Sequence, residues 1–266
     1  MLGNALAKSL LPGKKSCGMM WETEVDISMK QFINYAHRGA SEYCPENTLL
    51  SFYTGVYMGA NGIETDVQLT KDGVPVLFHD DTIQRMMGRE GRLCDYTYAQ
   101  LREFPMKTCG RTDYIITLEQ FLESFSKMDL TFAIELKGKD VEEKTAALIK
   151  KYGVQDKCIV TSFQFAYLEN MHAVDPCQRL GYLAPKGKIT RELLDKMLAM
   201  DFYEICPHAE DATAENVQTW HEMGLHVRAW GVANEELMRQ AYDNGVDGMT
   251  VNFPDKLVAY RAQKEK

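Results

Sequence analysis

Short apolar or β-branched runs alternate with amphipathic stretches along this chain from Phe32 onward, in the order expected of strands followed by helices. Such βα units build a parallel sheet, because each helical crossover returns the chain to the same edge. We predict parallel strands at residues 32–36, 62–66, 131–136, 158–162, 178–183, 202–206, 225–230 and 247–251. Eight parallel strands indicate a closed α/β fold, the TIM-like (β/α)8 barrel.

The helical stretches between these strands carry start and stop signals. Asn47-Thr48 precedes the first stretch and can cap a helix that runs to Met58, because such side chains accept the unpaired amide hydrogens. Glycine follows several other stretches, where it adopts the left-handed closing conformation cheaply. The same patterns predict helices over residues 118–127, 141–152, 165–174, 191–200, 214–223 and 235–243.

One segment after the second strand interrupts the alternation, because it is longer than a single barrel crossover needs. Its first part predicts a β-hairpin that turns at Asp72-Gly73 and brings His79 back beside Glu64 and Asp66. We therefore predict a small insertion at residues 67–117. It is either a separate mini-core over the barrel mouth or a lid that selects the leaving group of a substrate.

The barrel domain is expected to span residues 32–266, preceded by an N-terminal extension at residues 1–31. The apolar run of this extension is too short to cross a bilayer and has no basic segment before it, so we expect no stable membrane insertion and no signal peptide. The seven cysteines are scattered, with no C-x-x-C pair, which favours a reduced cytoplasmic protein. Homo-oligomer formation is left open.

The net charge of -8 opposes binding to nucleic acid or to an anionic membrane. An anionic small-molecule substrate would therefore have to be attracted by a local cationic pocket. His37, Arg38, His79 and Lys137 are the candidates for that pocket.

Acidic side chains concentrate at the carboxyl ends of predicted strands, which meet on one face of an α/β barrel. Glu64 and Asp66 are two apart on a strand and share a face, and Glu135 ends a neighbouring strand. Buried carboxylates repel each other unless a cation neutralises them, and all-oxygen ligation suits Mg²⁺ or Ca²⁺. Alternatively, Glu135 forms an ion pair with Lys137, while Glu64 and Asp66 bond to backbone or arginine.

Two histidines favour a catalytic site over that alternative. His37 and His79 each end a strand beside the carboxylates, and imidazole can serve as general acid or base because it titrates near neutrality. His208 also ends a strand, after Pro207, and stays open as a site residue.

Together these residues resemble the glycerophosphodiester phosphodiesterase family over about residues 33 to 258. The resemblance rests on His37-Arg38-Gly39, Pro45-Glu46-Asn47-Thr48, Ile63-Glu64-Thr65-Asp66-Val67, Lys71-Asp72-Gly73, His79-Asp80, Glu135-Leu136-Lys137, Ser162-Phe163, Trp230 and Asp247-Gly248. It implies a TIM-like barrel with an insertion after the second strand. It also implies hydrolysis of a glycerophosphodiester, such as glycerophosphocholine or glycerophosphoethanolamine, to glycerol 3-phosphate and an alcohol.

The resemblance further implies a role for each matching residue. His37 and His79 would be the acid/base pair, and Arg38 and Lys137 would bind phosphate. Glu46 would orient Arg38 or His37, with Asp80 as the supporting carboxylate beside His79. The divalent metal would be held by Glu64, Asp66 and Glu135. One departure is Asn252, where the family more often has an acid.

Two aromatic residues at predicted strand ends allow two interpretations. Trp230 can stack on glycerol or on a choline-like head group by a cation–π contact, or it can pack the barrel top. Phe163 presents the same choice.

Two alternative functions for the whole chain also stay open. One is a related phospholipase acting on a lipid phosphodiester, and the other is a catalytically silent barrel that binds a phosphorylated ligand.

Overall fold

The structure, a computed structural model, describes residues 32–264. The predicted N-terminal extension, residues 1–31, lies outside the described residues. The strands are β1 (Ile33–His37), β2 (Gly62–Leu69), β3 (Pro75–Leu77), β4 (Met106–Thr108), β5 (Arg111–Asp113), β6 (Thr131–Leu136), β7 (Cys158–Ser162), β8 (Arg179–Leu183), β9 (Glu204–Cys206), β10 (His226–Ala229) and β11 (Gly248–Val251).

The helices lie between these strands, as the alternating pattern predicts. They are α1 (Leu49–Tyr57), α2 (Gln84–Met87), α3 (Tyr98–Leu101), α4 (Leu118–Phe125), α5 (Glu142–Tyr152), α6 (Phe165–Val174), α7 (Arg191–Ala199), α8 (Ala214–Glu222), α9 (Glu235–Asp243) and α10 (Pro254–Lys264). Thr48, rather than Asn47, caps α1, because its side chain accepts the Ser51 amide hydrogen.

The sheet closes into a barrel of eight parallel strands, which confirms the predicted TIM-like fold. Its order is β1-β11-β10-β9-β8-β7-β6-β2, and β2 also pairs with β1. His37 lies opposite Glu64 across the β1–β2 seam, and Asp66 lies opposite Glu135 across β2–β6. This register brings the carboxyl ends of three strands, and the charged residues on them, to the same part of the barrel mouth.

The apolar core fills the space between the barrel and its helices. An aromatic group made by Phe52, Phe121, Phe125 and Phe132 is fully buried there. Its ring pairs are tilted or edge-to-face, with centroids 4.9 to 6.0 Å apart, which is the arrangement that aromatic quadrupoles prefer.

The insertion after β2 begins with the predicted hairpin, since β3 pairs antiparallel with β2 and Val67 lies opposite Leu77. The rest of the insertion has an apolar core of its own, as the first of the two alternatives requires. The buried members of that core are Val76, Phe78, Ile83, Met87, Leu93, Leu101, Met106 and Ile115.

The β4–β5 hairpin of the insertion contacts the first turn of α1 and the loop before it. Asp113 accepts the amide hydrogen of Leu50 at 3.0 Å, and the Arg111 guanidinium lies 2.9 Å from the Cys44 sulfur. The insertion therefore supports the loop that follows His37.

Two remaining expectations concern cysteine and the membrane. Cys177 is disulfide-bonded, so the expectation of a reduced chain is wrong at that position. None of the helices in the described part of the chain combines the length and apolar character that crossing a bilayer requires.

Candidate active site

The turn after β1 positions His37 and Arg38. Arg38 and Gly39 both have positive φ, 54° and 85°, and the Arg38 amide donates to the Glu64 carbonyl at 2.9 Å. A Cβ on Gly39 would lie 2.4 Å from the backbone carbon of Ser51 in α1. Glycine is therefore required where this turn passes the helix.

The His37 ring is held by its Nδ1 atom, which lies 2.6 Å from Asn252 Oδ1. The same amide oxygen accepts a hydrogen bond from the Ser41 hydroxyl at 3.0 Å, so it acts as an acceptor for both residues. Nδ1 of His37 therefore carries the hydrogen, and Nε2 is left with its lone pair. Burial, together with the adjacent Arg38 charge, lowers the pKa of His37 to about 4, so the ring is neutral near pH 7.

Glu64, Asp66 and Glu135 converge as the sequence predicts. One carboxylate oxygen of each lies within 4.8 Å of the others, and all three residues are buried. Oδ1 of Asp66 is buried without a hydrogen-bond partner among the described residues. An all-oxygen cluster with an unpaired oxygen fits a divalent cation.

The electrostatics of these carboxyls fit the same interpretation. Burial and the nearby Asp66 raise the pKa of Glu135 to about 7, and the same two causes raise the pKa of Glu64 well above its usual range. Burial would also raise the pKa of Asp66, but the charges and hydrogen bond around it, that of Arg38 foremost, together outweigh burial and hold that pKa below its ordinary value. Added positive charge among these groups would ionise all three.

Two cationic side chains border the carboxylates. Arg38 Nε lies 3.1 Å from Asp66 Oδ2, and Lys137 Nζ lies 3.3 Å from Glu135 Oε1. These are the ion pairs that the alternative interpretation predicts, and they coexist with the acidic cluster. The ion pairs therefore do not exclude a metal site, because each arginine or lysine contact uses one carboxylate oxygen.

His79 returns to the carboxylates through the hairpin, since the Phe78 amide donates to the Asp66 carbonyl at 3.0 Å. Its Nδ1 lies 2.7 Å from Asp80 Oδ1, and its Nε2 lies 3.2 Å from Lys137 Nζ. The Asp80 carboxylate fixes the ring orientation and directs Nε2 toward the site.

Three further residues support the site, and the sequence analysis gave them no role there. The Asn47 side chain donates to Asp66 Oδ2 at 2.9 Å, and Gln68 Nε2 bonds the carbonyl of His79 at 3.1 Å. Gln68 lies two and four residues after Asp66 and Glu64 on β2, and that shared strand face was the available signal. The third residue, Arg85, contacts the nearby Asp80, but no local signal indicates its contact with Glu46, 39 residues away.

The two candidate aromatic residues form a separate half-buried group with His208. The ring of Trp230 lies edge-to-face with Phe163 at 4.7 Å and with His208 at 5.0 Å between centroids. Trp230 Nε1 also donates to the Ala184 carbonyl at 3.1 Å. These contacts support a packing role for Trp230. The two edge-to-face pairs also fix the plane of its indole ring.

Comparisons with known proteins give matches over most of this chain. Residues 37–256 match the model of the glycerophosphoryl diester phosphodiesterase family. A glycerophosphodiester phosphodiesterase from Caldanaerobacter subterraneus subsp. tengcongensis is 32% identical over 84% of this chain and 95% of its own. One from Bacillus subtilis is 30% identical over 86% of each chain.

A solved protein structure is also similar to this chain. A phosphodiesterase from Oleispira antarctica, in complex with the product sn-glycerol-3-phosphate, superposes with a TM-score of 0.79 at 26% identity. The match covers 86% of this chain and 96% of that one.

Proposed function

This chain belongs to the glycerophosphoryl diester phosphodiesterase family and is a glycerophosphodiester phosphodiesterase, and from that premise we propose how its site works. It hydrolyses glycerophosphodiesters to glycerol 3-phosphate and an alcohol. We propose glycerophosphocholine and glycerophosphoethanolamine as substrates, and divalent-metal dependence with histidine acid/base catalysis as the mechanism. The observation that carries this mechanism is the convergence of three buried carboxylates with His37 and His79 at one barrel mouth.

Glu64, Asp66 and Glu135 would hold the cation, and Mg²⁺ or Ca²⁺ suits their oxygen donors. When bound, the cation would neutralise negative charge on the phosphodiester. Asp66 Oδ1 is buried without a hydrogen-bond partner among the described residues, and coordination to the cation would give this oxygen a partner.

His37 would act as the general base. Its Nδ1 hydrogen is engaged by Asn252, so the Nε2 lone pair is free to take the proton of the attacking hydroxyl. His79 would act as the general acid, with its ring oriented by the Asp80 carboxylate, whose Oδ1 lies 2.7 Å from Nδ1. The proton leaves His79 for the oxygen of the departing alcohol.

Arg38 and Lys137 would bind the phosphate. A phosphodiester is an anion that repels nucleophiles, and fixed cations lower that barrier by stabilising the charge that develops in the transition state. Glu46 accepts a hydrogen bond from Arg38 Nη1 at 3.0 Å and so orients the guanidinium. Trp230 and Phe163 would contact the glycerol or the head group, with a cation–π contribution for choline.

The domain boundaries are part of the same proposal: a barrel at residues 32–266 with the insertion at 67–117, after an extension at 1–31. The partner is a small-molecule substrate. The cytoplasmic location and homo-oligomer formation stay predictions.

The test is release of glycerol 3-phosphate from a panel of glycerophosphodiesters, first with EDTA and then with added Mg²⁺ or Ca²⁺. We expect release that EDTA abolishes and the metal restores. Release that is unaffected by EDTA would overturn the metal assignment. A folded protein that releases nothing from any member would overturn the proposed substrate class, and lysophospholipids would then test the phospholipase alternative.

A further inference from the structure

Arg85 belongs to the insertion, on the short helix α2, yet its guanidinium reaches two carboxylates of the barrel mouth. Its Nε and Nη2 lie 2.6 and 2.9 Å from Asp80 Oδ2 and Oδ1. Its Nη1 and Nη2 lie 2.9 and 2.6 Å from Glu46 Oε2 and Oε1. One side chain therefore engages all four oxygens of two acids that are 34 residues apart in the sequence.

Each of these carboxylates has a second partner in the site. Asp80 Oδ1 lies 2.7 Å from His79 Nδ1, and Glu46 Oε1 lies 3.0 Å from Arg38 Nη1. The order of contacts is thus Arg38, Glu46, Arg85, Asp80 and His79. Cationic or protonatable groups alternate with anions along it, so every neighbouring pair attracts.

We propose that Arg85 is a positioning residue for the reaction, which holds Glu46 and Asp80 in place and through them orients Arg38 and His79. This inference rests on the proposed function, since it concerns the residues assigned there to phosphate binding and proton donation. It gives the insertion a role in the chemistry: the insertion completes the network of the barrel mouth.

The geometry suits arginine in particular. The planar guanidinium presents five donors in a fixed fork that matches carboxylates two oxygens at a time, whereas a lysine ammonium is a point charge on a flexible stem. Without the guanidinium, Glu46 and Asp80 would be two anions facing each other without a shared cation. Each would keep only its second partner, so the His79 ring and the Arg38 guanidinium would be held less firmly.

The backbone under Arg85 is firmly held even though 48% of its side chain is exposed. Ile83 and Met87, on either side of it, are buried in the separate core of the insertion. The Met87 amide donates to the Ile83 carbonyl at 2.9 Å. The mini-core thus fixes the point from which Arg85 extends to the barrel mouth.

The experiment compares Arg85→Ala and Arg85→Lys with Arg89→Ala. Arg89 is a matched control, because it lies in the same insertion and its replacement by alanine removes the same charge. Its guanidinium, however, lies over the Phe104 ring, 5.3 Å from the ring centroid. We expect Arg85→Ala to lower kcat by about 10- to 100-fold, as for catalytic groups misplaced by a fraction of an ångström. Arg85→Lys should recover less than half of that loss, and Arg89→Ala should stay within about twofold of wild type.

Chemical rescue separates positioning from general stabilisation. Millimolar guanidinium, which is well below denaturing concentrations, should restore part of the activity of Arg85→Ala. It should restore none in His79→Ala, which lacks the ring to be oriented. Wild-type turnover in a folded Arg85→Ala enzyme, or an equal loss in Arg89→Ala, would overturn the proposal.

A second readout does not depend on turnover. The ring ¹⁵N signals of His79 report its tautomer, and they should change in Arg85→Ala but stay unchanged in Arg89→Ala. If Arg85→Ala fails to fold, Arg85→Lys is measured in its place, and unchanged His79 signals in the folded variant would overturn the proposal. A wild-type protein without turnover would reject the proposed function, while the His79 signals would still decide the role of Arg85.

Discussion

The two histidines of the site are held by different kinds of partner, and the partner decides what each ring can do. His37 donates to an amide oxygen, which carries no charge, whereas His79 contacts the Asp80 carboxylate. Burial and Arg38 disfavour a protonated His37. His79 instead has a charged partner, so the two rings lie in different electrostatic environments before any substrate binds.

Replacing either histidine should therefore abolish most turnover without unfolding the protein. We expect His37→Ala and His79→Ala each to lower kcat by roughly two to four orders of magnitude, the loss typical of a general acid or base. His172→Ala on α6 is a matched control and should keep normal turnover. Steady-state kinetics with a thermal melt of each variant checks this, and normal rates in both site variants would remove the proposed mechanism.

The aromatic group makes a second prediction at the residue scale. If Trp230 contacts a choline head group, Trp230→Ala should raise KM for glycerophosphocholine by about fivefold, which corresponds to a cation–π contribution of about 1 kcal/mol. An ester with an uncharged head group should be affected much less. Equal changes in KM for both substrates would instead support a packing role, through the contacts with Phe163 and His208.

At the scale of elements, two connections build the site: the turn between β1 and α1, and the hairpin between β2 and β3. The first carries His37 and Arg38 at its start and the second delivers His79. The insertion then supports the β1–α1 loop through Arg111 and the first turn of α1 through Asp113. Each connection is hydrogen-bonded to the β2 backbone beside the carboxylates, through the Arg38 and Phe78 amides, which helps to keep the reacting groups in place.

The β1–α1 turn depends on Gly39, so Gly39→Ala should be strongly destabilising. The new Cβ would lie 2.4 Å from the Ser51 backbone, and the residue would keep a φ of 85°. Overpacking and left-handed strain together predict a loss of about 3 kcal/mol in the free energy of unfolding.

Gly153→Ala is the matched control for this substitution. Gly153 also has positive φ, at 64°, but nothing lies within 4 Å of its added Cβ. Strain alone predicts a loss of about 1 kcal/mol there. Denaturant unfolding of both variants measures the difference, and equal losses would show that the contact with Ser51 is relieved at no cost.

At the scale of the whole molecule, the acidic cluster couples metal binding to pH and to stability. In the metal-free protein the pKa of Glu135 is about 7, raised from 4.5 by burial and by Asp66. A raised folded-state pKa contributes stability at low pH that is lost as pH rises through 7. The lowered pKa of His37 acts in the opposite direction but only between about pH 4 and 6.5.

We therefore expect the metal-free protein to lose stability as pH rises from 6.5 to 8, because Glu135 ionises without a counter-charge. Binding of Mg²⁺ or Ca²⁺ must displace the Glu135 proton, so the metal affinity should rise by up to about tenfold per pH unit while that proton is still bound. Thermal melts at pH 6.5 and 8, with EDTA or metal, measure both effects. The metal-induced rise in Tm should be larger at pH 8.

Glu135→Gln is the control for this coupling, since it removes one titrating ligand. The variant should show a smaller metal-induced rise in Tm and a weaker dependence of that rise on pH. A wild-type protein whose Tm responds equally to metal at pH 6.5 and 8 would contradict the assignment of protonated carboxyls to the metal-free site.

The sequence by itself determined the fold and the convergence of the candidate site residues, because both depend on local patterns. The alternation of apolar runs with amphipathic stretches is a short-range property, and it located all eight barrel strands to within three residues at each end. The Asp72-Gly73 turn likewise specified the hairpin that returns His79. Residues at strand ends then converge because parallel strands share a direction.

Only the tertiary structure decided which side chains support those residues. Asn252 bonds His37 across 215 positions, and Arg85 bonds Glu46 across 39. Such pairs form because the barrel closes and the insertion folds back on its mouth, and no local spacing specifies them. The state of each histidine depends on these distant partners, since the strength of a charge interaction is set by distance and burial rather than by position along the chain.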